Sequence, residues 1–72
     1  MQFPEMLVKI MTERGVTAYR IEKDIGMGNR LIGSYRTGES DPSSRNLLRL
    51  AEYFDVSVDY LLGRTERSEV NR

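Results

Sequence analysis

Apolar residues recur along this chain at spacings of three and four, in segments set apart by short polar breaks, most of which contain glycine. Phe3, Leu7 and Ile10 mark the first stripe, with Met6 and Met11 also assigned to its inward side. Leu47, Leu50, Ala51 and Phe54 mark another, with Arg45, Arg49 and Glu52 on the opposite side. This is the period of a helix that buries one face. No segment alternates at period two for long enough to suggest a sheet. Val56-Ser57-Val58 comes nearest, and Asp59 ends it.

The breaks carry helix-end signals. Gly15, Gly26, Gly38 and Gly63 each follow a periodic segment, where a left-handed cap is wanted. Asp55 takes that place after Phe54, since Asp tolerates the conformation better than most residues. Thr17, Ser43 and Ser57 stand where an N-cap offers a side-chain oxygen to free amides. Val16 with Ile21, Met27 with Ile32 and Val56 with Leu61 have hydrophobic-staple spacing, which makes Gly28 the N-cap of the third helix. Five helices are predicted, at 4–14, 18–25, 29–37, 44–54 and 58–62. The all-α fold is expected to occupy residues 1–63, and residues 64–72 to form a flexible polar tail with one apolar residue.

Composition narrows the function classes. The 72 residues allow one domain, and none is cysteine or histidine, so neither a disulfide nor a Cys/His zinc site braces it. Pro4, Glu5 and Lys9 interrupt the N-terminal apolar run, so no secretory signal is expected. No stretch approaches the roughly 18 apolar residues of a membrane span. A soluble cytoplasmic protein is expected, with no membrane, cofactor, metal or small-molecule ligand. Without His or Cys the six serines lack the usual base, and no carboxylate pair suggests a cleft, so no enzyme is predicted. Gly26-x-Gly28 lacks a third glycine and a βαβ setting, so it is no phosphate loop.

Eleven basic and eleven acidic residues cancel, which argues mildly against a nucleic-acid partner. Their distribution argues the other way. Between Met27 and Leu50 lie Arg30, Arg36, Arg45 and Arg49 against Glu39 and Asp41, whereas Glu52, Asp55 and Asp59 follow. One end of the molecule suits phosphate better than the other.

The second and third helices are separated only by Gly26, Met27 and Gly28, the spacing of a helix-turn-helix that presents its second helix to the major groove. On that helix Leu31, Ile32 and Tyr35 cluster on one side, and Asn29, Arg30, Gly33, Ser34 and Thr37 on the other. Asn suits adenine, Arg suits guanine, and Ser or Thr suits either. Gly33 reads either as a close backbone approach to DNA or as a tolerated surface glycine. Arg36 on the flank and Arg45 near the start of the fourth helix fit phosphate. Tyr35 and the four methionines are assigned to packing.

Thr17 to Pro42, TAYRIEKDIGMGNRLIGSYRTGESDP, resembles the helix-turn-helix of the lambda-repressor-like (Xre/Cro/CI) family. Leu47 to Arg64, LLRLAEYFDVSVDYLLGR, is similar to its fourth and fifth helices. The resemblance runs from about Phe3 to Arg64 and is greatest to short repressors of phages and mobile elements. It implies a five-helix bundle in which Asn29, Arg30, Gly33 and Ser34 meet bases. It also implies phosphate contacts from Thr17 and Ala18, with backbone amides or Tyr19 replacing the glutamine frequent at the Ala18 position; Thr37 is assigned to phosphate beside Arg36 and Arg45. The family's frequent Arg–Glu pair is replaced by Met11 and Arg36. Glu22 stands where the family usually has alanine, so its side chain is expected to reach solvent or a partner, Arg30 or Arg36.

The fifth helix is unusually apolar. Some of Val58, Tyr60, Leu61 and Leu62 are expected to close the core, and the remainder to form a two-fold dimer patch. These readings converge on a homodimeric repressor of a palindromic double-stranded DNA operator. The alternative is a protein-interaction module of the same fold, antitoxin-like or antirepressor-like, favoured by the zero net charge and by Glu22, Glu39 and Asp41.

Overall fold

In the computed structural model, which describes residues 2–28 and 30–67, five helices follow one another: α1 (Phe3–Arg14), α2 (Ala18–Ile25), α3 (Leu31–Thr37), α4 (Ser44–Phe54) and α5 (Val58–Leu61). Local signals set most of their ends. Thr17, Ser43 and Ser57 are extended, and each side chain accepts a backbone N–H from the first turn that follows: Arg20, Asn46 and Tyr60 respectively. Gly15, Gly26, Gly38 and Asp55 end α1 to α4 in the left-handed conformation.

The helices wrap one core. α1 supplies Phe3, Leu7, Ile10 and Met11, α2 supplies Ile21, and α3 supplies Ile32 and Tyr35. Leu50, Ala51 and Phe54 of α4, Val56 of the connection that follows it and Leu61 of α5 complete it. Each of the buried Val, Leu, Ile, Phe and Met side chains contributes roughly 1.5–3 kcal/mol through removal from water. α1 packs against α3 and α5, α2 against α3, and α4 against α5, in a body of 30 × 23 × 23 Å.

Polar bonds join elements where the apolar stripes meet. The Tyr35 ring stands edge-on to Phe3, with centroids 6.0 Å apart, and its hydroxyl accepts from Asn46 Nδ2 at 3.0 Å. α3 is thereby tied to both α1 and α4. Arg14 donates to the Phe54 carbonyl at 2.9 Å, satisfying an acceptor at the end of α4. Its guanidinium also lies 6.0 Å from the Phe54 ring centroid.

On the surface, the Asp24 carboxylate accepts from the Tyr53 hydroxyl at 2.7 Å and from Arg20 Nε at 2.9 Å, joining α2 to α4. The Tyr53 bond first, then the Arg20 bond, holds the Asp24 carboxyl below its ordinary value. The same bond from Tyr53 raises the phenol. A depressed carboxyl stabilises the fold above its unfolded value, and this contribution disappears as pH falls through the folded value. We therefore expect Tyr53→Phe to lower the thermal midpoint at about pH 6, with the gap from the parent narrowing towards about pH 2. A gap that stays constant over that range would separate Tyr53 from Asp24.

Three expectations need correction. Met6 is half-buried and lies outside the core that Phe3, Leu7, Ile10 and Met11 share. Leu61 is fully buried in the core, so it offers nothing to a dimer surface. The third helix begins at Leu31, not at residue 29, and the connection is residues 26–30. Gly28 does not cap it. Arg30 occupies the N-cap position in the left-handed conformation, φ 69°, with no side-chain cap bond. For a residue other than glycine this costs on the order of 1 kcal/mol.

Of the expected polar tail, residues 64–67 fold back on α5. Arg64 donates its backbone N–H to the Asp59 carbonyl at 2.9 Å, and the Ser57 hydroxyl reaches the Arg67 carbonyl at 3.5 Å. Residues 68–72 of that tail lie outside the described residues.

Candidate nucleic-acid interface

The geometry of this surface is organised by one residue of α2. Ala18, Ile21, Glu22 and Ile25 lie at helical spacing on the inner side of α2, and Glu22 is the buried charged residue among those described. Its backbone carbonyl accepts the N–H groups of Gly26 and Met27, at 2.8 and 2.9 Å. Its side-chain Oε2 accepts the N–H of Ile32 at 3.0 Å. That N–H belongs to the first turn of α3 and has no intrahelical acceptor. Glu22 thus closes α2, holds the turn and caps α3 from outside. The expected partners Arg30 and Arg36 are not its partners, because a nearer donor, the backbone of α3, uses the oxygen.

With Ile32 and Tyr35 buried, α3 turns its other side outward. Arg30 is exposed, Gly33 and Ser34 are half-exposed, and Arg36 and Thr37 are exposed. Arg30, Gly33, Ser34, Arg36 and Thr37 line one shallow depression together with Val8 of α1 and Glu39. The Ser34 hydroxyl makes no hydrogen bond with the described residues, so its donor and acceptor are both available. Thr37 differs: its hydroxyl donates to the Ser34 carbonyl at 3.2 Å, which commits its proton to the end of α3. Asn29 lies outside the described residues.

The remaining candidates stand around this surface. Thr17 Oγ1 accepts from Arg20 N–H at 3.1 Å, which leaves its own proton for an external acceptor. Ala18 is half-buried, Tyr19 is 70% exposed, and Arg45 is exposed in the first turn of α4. Arg30, Arg36 and Arg45 form no ion pair with the described residues. Val58, Tyr60 and Leu62 are half-buried, and the Lys9 ammonium lies 5.9 Å from the Tyr60 ring centroid.

Two helices joined in this way, the second with a polar outer face, also characterise a known family: the helix-turn-helix profile matches residues 7–61. The chain belongs to the helix-turn-helix family. The expected lambda-repressor-like resemblance and five-helix fold hold, and the family is not enzymatic. Among helix-turn-helix relatives in Bacillus subtilis (strain 168), the HTH-type transcriptional regulator ImmR is 31% identical over 71 residues, covering 99% of this chain and 56% of its own length. The SPbeta prophage-derived uncharacterized HTH-type transcriptional regulator YonR is 32% identical over 63 residues, 88% of this chain and 58% of its own. The uncharacterized HTH-type transcriptional regulator YobD is 35% identical over 51 residues, covering 71% and 46%. The chain spans about half the length of these relatives. No solved structure matches it. No helix of the described residues is long and apolar enough to cross a membrane.

Gly33 distinguishes a helix-turn-helix that reads DNA closely from one that merely carries a surface glycine. A Cβ added there would meet nothing within 4 Å. Gly33→Ala is therefore expected to stabilise the fold by about 0.5–1 kcal/mol through helix propensity. Where the backbone approaches DNA closely, the same methyl weakens binding, and paired thermal-melt and DNA-affinity measurements separate the effects. A variant that is more stable and binds equally well marks Gly33 as a tolerated surface glycine.

Proposed function

We propose that this chain is a sequence-specific transcription regulator that binds double-stranded DNA. In this reading it is a repressor, occupying a palindromic operator as a homodimer and excluding the transcription machinery. The observation that carries the reading is the outer side of α3, where Arg30, Gly33 and Ser34 share one depression while Glu22 and Tyr35 hold the helix from behind. Arg30 and Ser34, with Asn29, meet base edges in the major groove. Thr17, Tyr19, Arg36 and Arg45 meet phosphate through their side chains and Ala18 through its backbone, while Thr37 donates to phosphate only by exchanging its bond to the Ser34 carbonyl for it. The relatives' designation as transcriptional regulators supports this role, and the prophage origin of YonR supports a phage or mobile-element source. Such a regulator works in the cytoplasm, where its DNA is.

Val58, Tyr60 and Leu62, without Leu61, form the dimer patch in this reading. A two-fold pair places two copies of α3 one DNA turn apart, about 34 Å. The zero net charge, and Glu39 at the rim of the depression, favour a second reading, in which the same surface meets a protein.

Salt dependence separates the readings. If Arg36 and Arg45 each neutralise one phosphate in both protomers, log K falls with log salt at a slope of about −3.6, and Arg36→Ala flattens it to about −1.8. Fluorescence anisotropy over a salt series measures both slopes. Binding of the folded chain that is absent, or indifferent to salt, would favour the protein-binding reading.

A further inference from the structure

Three large apolar side chains are exposed among the described residues: Val8 at 44%, Tyr19 at 70% and Leu48 at 55%. Single exposed apolar residues are ordinary. Val8 differs in its company. It belongs to α1, yet lines the same depression as Arg30, Gly33, Ser34, Arg36 and Thr37, the outer side of α3. α1 packs against α3, so the wall it forms there is fixed by the core residues Leu7, Ile10 and Met11 on its other side.

The chemistry of the depression limits what enters it. Arg36 in the depression suits phosphate, whereas Val8 offers neither charge nor hydrogen bond, so the part of the wall that Val8 forms suits an apolar group. The part of a duplex that offers an apolar group to such a wall is a base edge. In the major groove the apolar element on a base edge is the 5-methyl group of thymine. We propose that Val8 is a further specificity-determining residue, whose isopropyl group packs against a thymine methyl at one position of each half-site. The reading surface then extends beyond α3 to a residue of α1. This inference rests on the DNA-reading proposal above.

The test uses the operator selected by the parent chain, with thymines replaced one at a time by deoxyuridine, which lacks only the methyl. At one position per half-site the parent chain should lose about three- to fivefold in affinity, the effect of one buried methyl. Val8→Ala should bind the thymine operator correspondingly less well and show no thymine-over-uracil preference there. Val8 is exposed and helical, so the alanine variant keeps the fold, as circular dichroism would verify. If the parent selects an operator but Val8→Ala retains every thymine preference, the Val8 assignment is overturned while DNA reading stands. If the folded parent selects no operator, the DNA-reading proposal falls, and this assignment with it.

Discussion

Glu22→Ala should destabilise the fold by about 1–3 kcal/mol, the cost of leaving a buried donor unsatisfied, here the N–H of Ile32. The same change should weaken DNA binding, because the Glu22 carboxylate ties α2 to the first turn of α3 and so holds the angle between the two helices. Glu22→Gln keeps an acceptor oxygen for the Ile32 N–H but loses the charge that strengthens the bond, so it should fall between parent and alanine. Urea unfolding at neutral pH ranks the three proteins. An alanine variant as stable as the parent would show that the turn is held by apolar packing of Ile21, Met27 and Ile32 alone.

Arg30→Ala should leave stability almost unchanged, since alanine in a left-handed N-cap carries about the same strain as arginine. Its effect falls on recognition: a loss of about 1–3 kcal/mol per half-site, with relaxed preference at one base pair. Arg30→Gly sharpens the contrast. It removes the strain, so it should fold up to about 1 kcal/mol more stably, and it should still bind poorly. Calorimetry and titration of the same preparations measure the two quantities. Stability and affinity that fell together in Arg30→Ala would mean that the side chain supports the fold rather than the ligand.

Most helix boundaries were legible because local chemistry sets them. Thr17, Ser43 and Ser57 cap through their own hydroxyls, and Gly15, Gly26, Gly38 and Asp55 take the left-handed conformation that ends a helix. The start of α3 was not legible, because no nearby side chain sets it. Its amide is capped by Glu22, ten positions earlier and on another helix, so the boundary is a tertiary contact. A signal was present: Glu22 lies among Ala18, Ile21 and Ile25 on an otherwise apolar side, and a carboxyl there requires a donor. The donor is a free amide at the start of α3 rather than an arginine side chain, because that amide faces the carboxylate across the turn.

The candidate interface divides in the same way. Helical spacing was enough to put Ile32 and Tyr35 inside and Arg30, Gly33 and Ser34 outside. It could not bring in Val8, because the contact between α1 and α3 depends on how two helices cross. Nor could it distribute Val58, Tyr60, Leu61 and Leu62 between core and surface, since a helix as short as α5 has no face wide enough to read.

Selection of bound duplexes from a random DNA pool at moderate salt, followed by sequencing, shows directly whether this chain reads a DNA sequence. Operator reading by a homodimer should give an enriched motif of two inverted half-sites centred about 10 base pairs apart. No enrichment, from a chain shown to be folded, would contradict it.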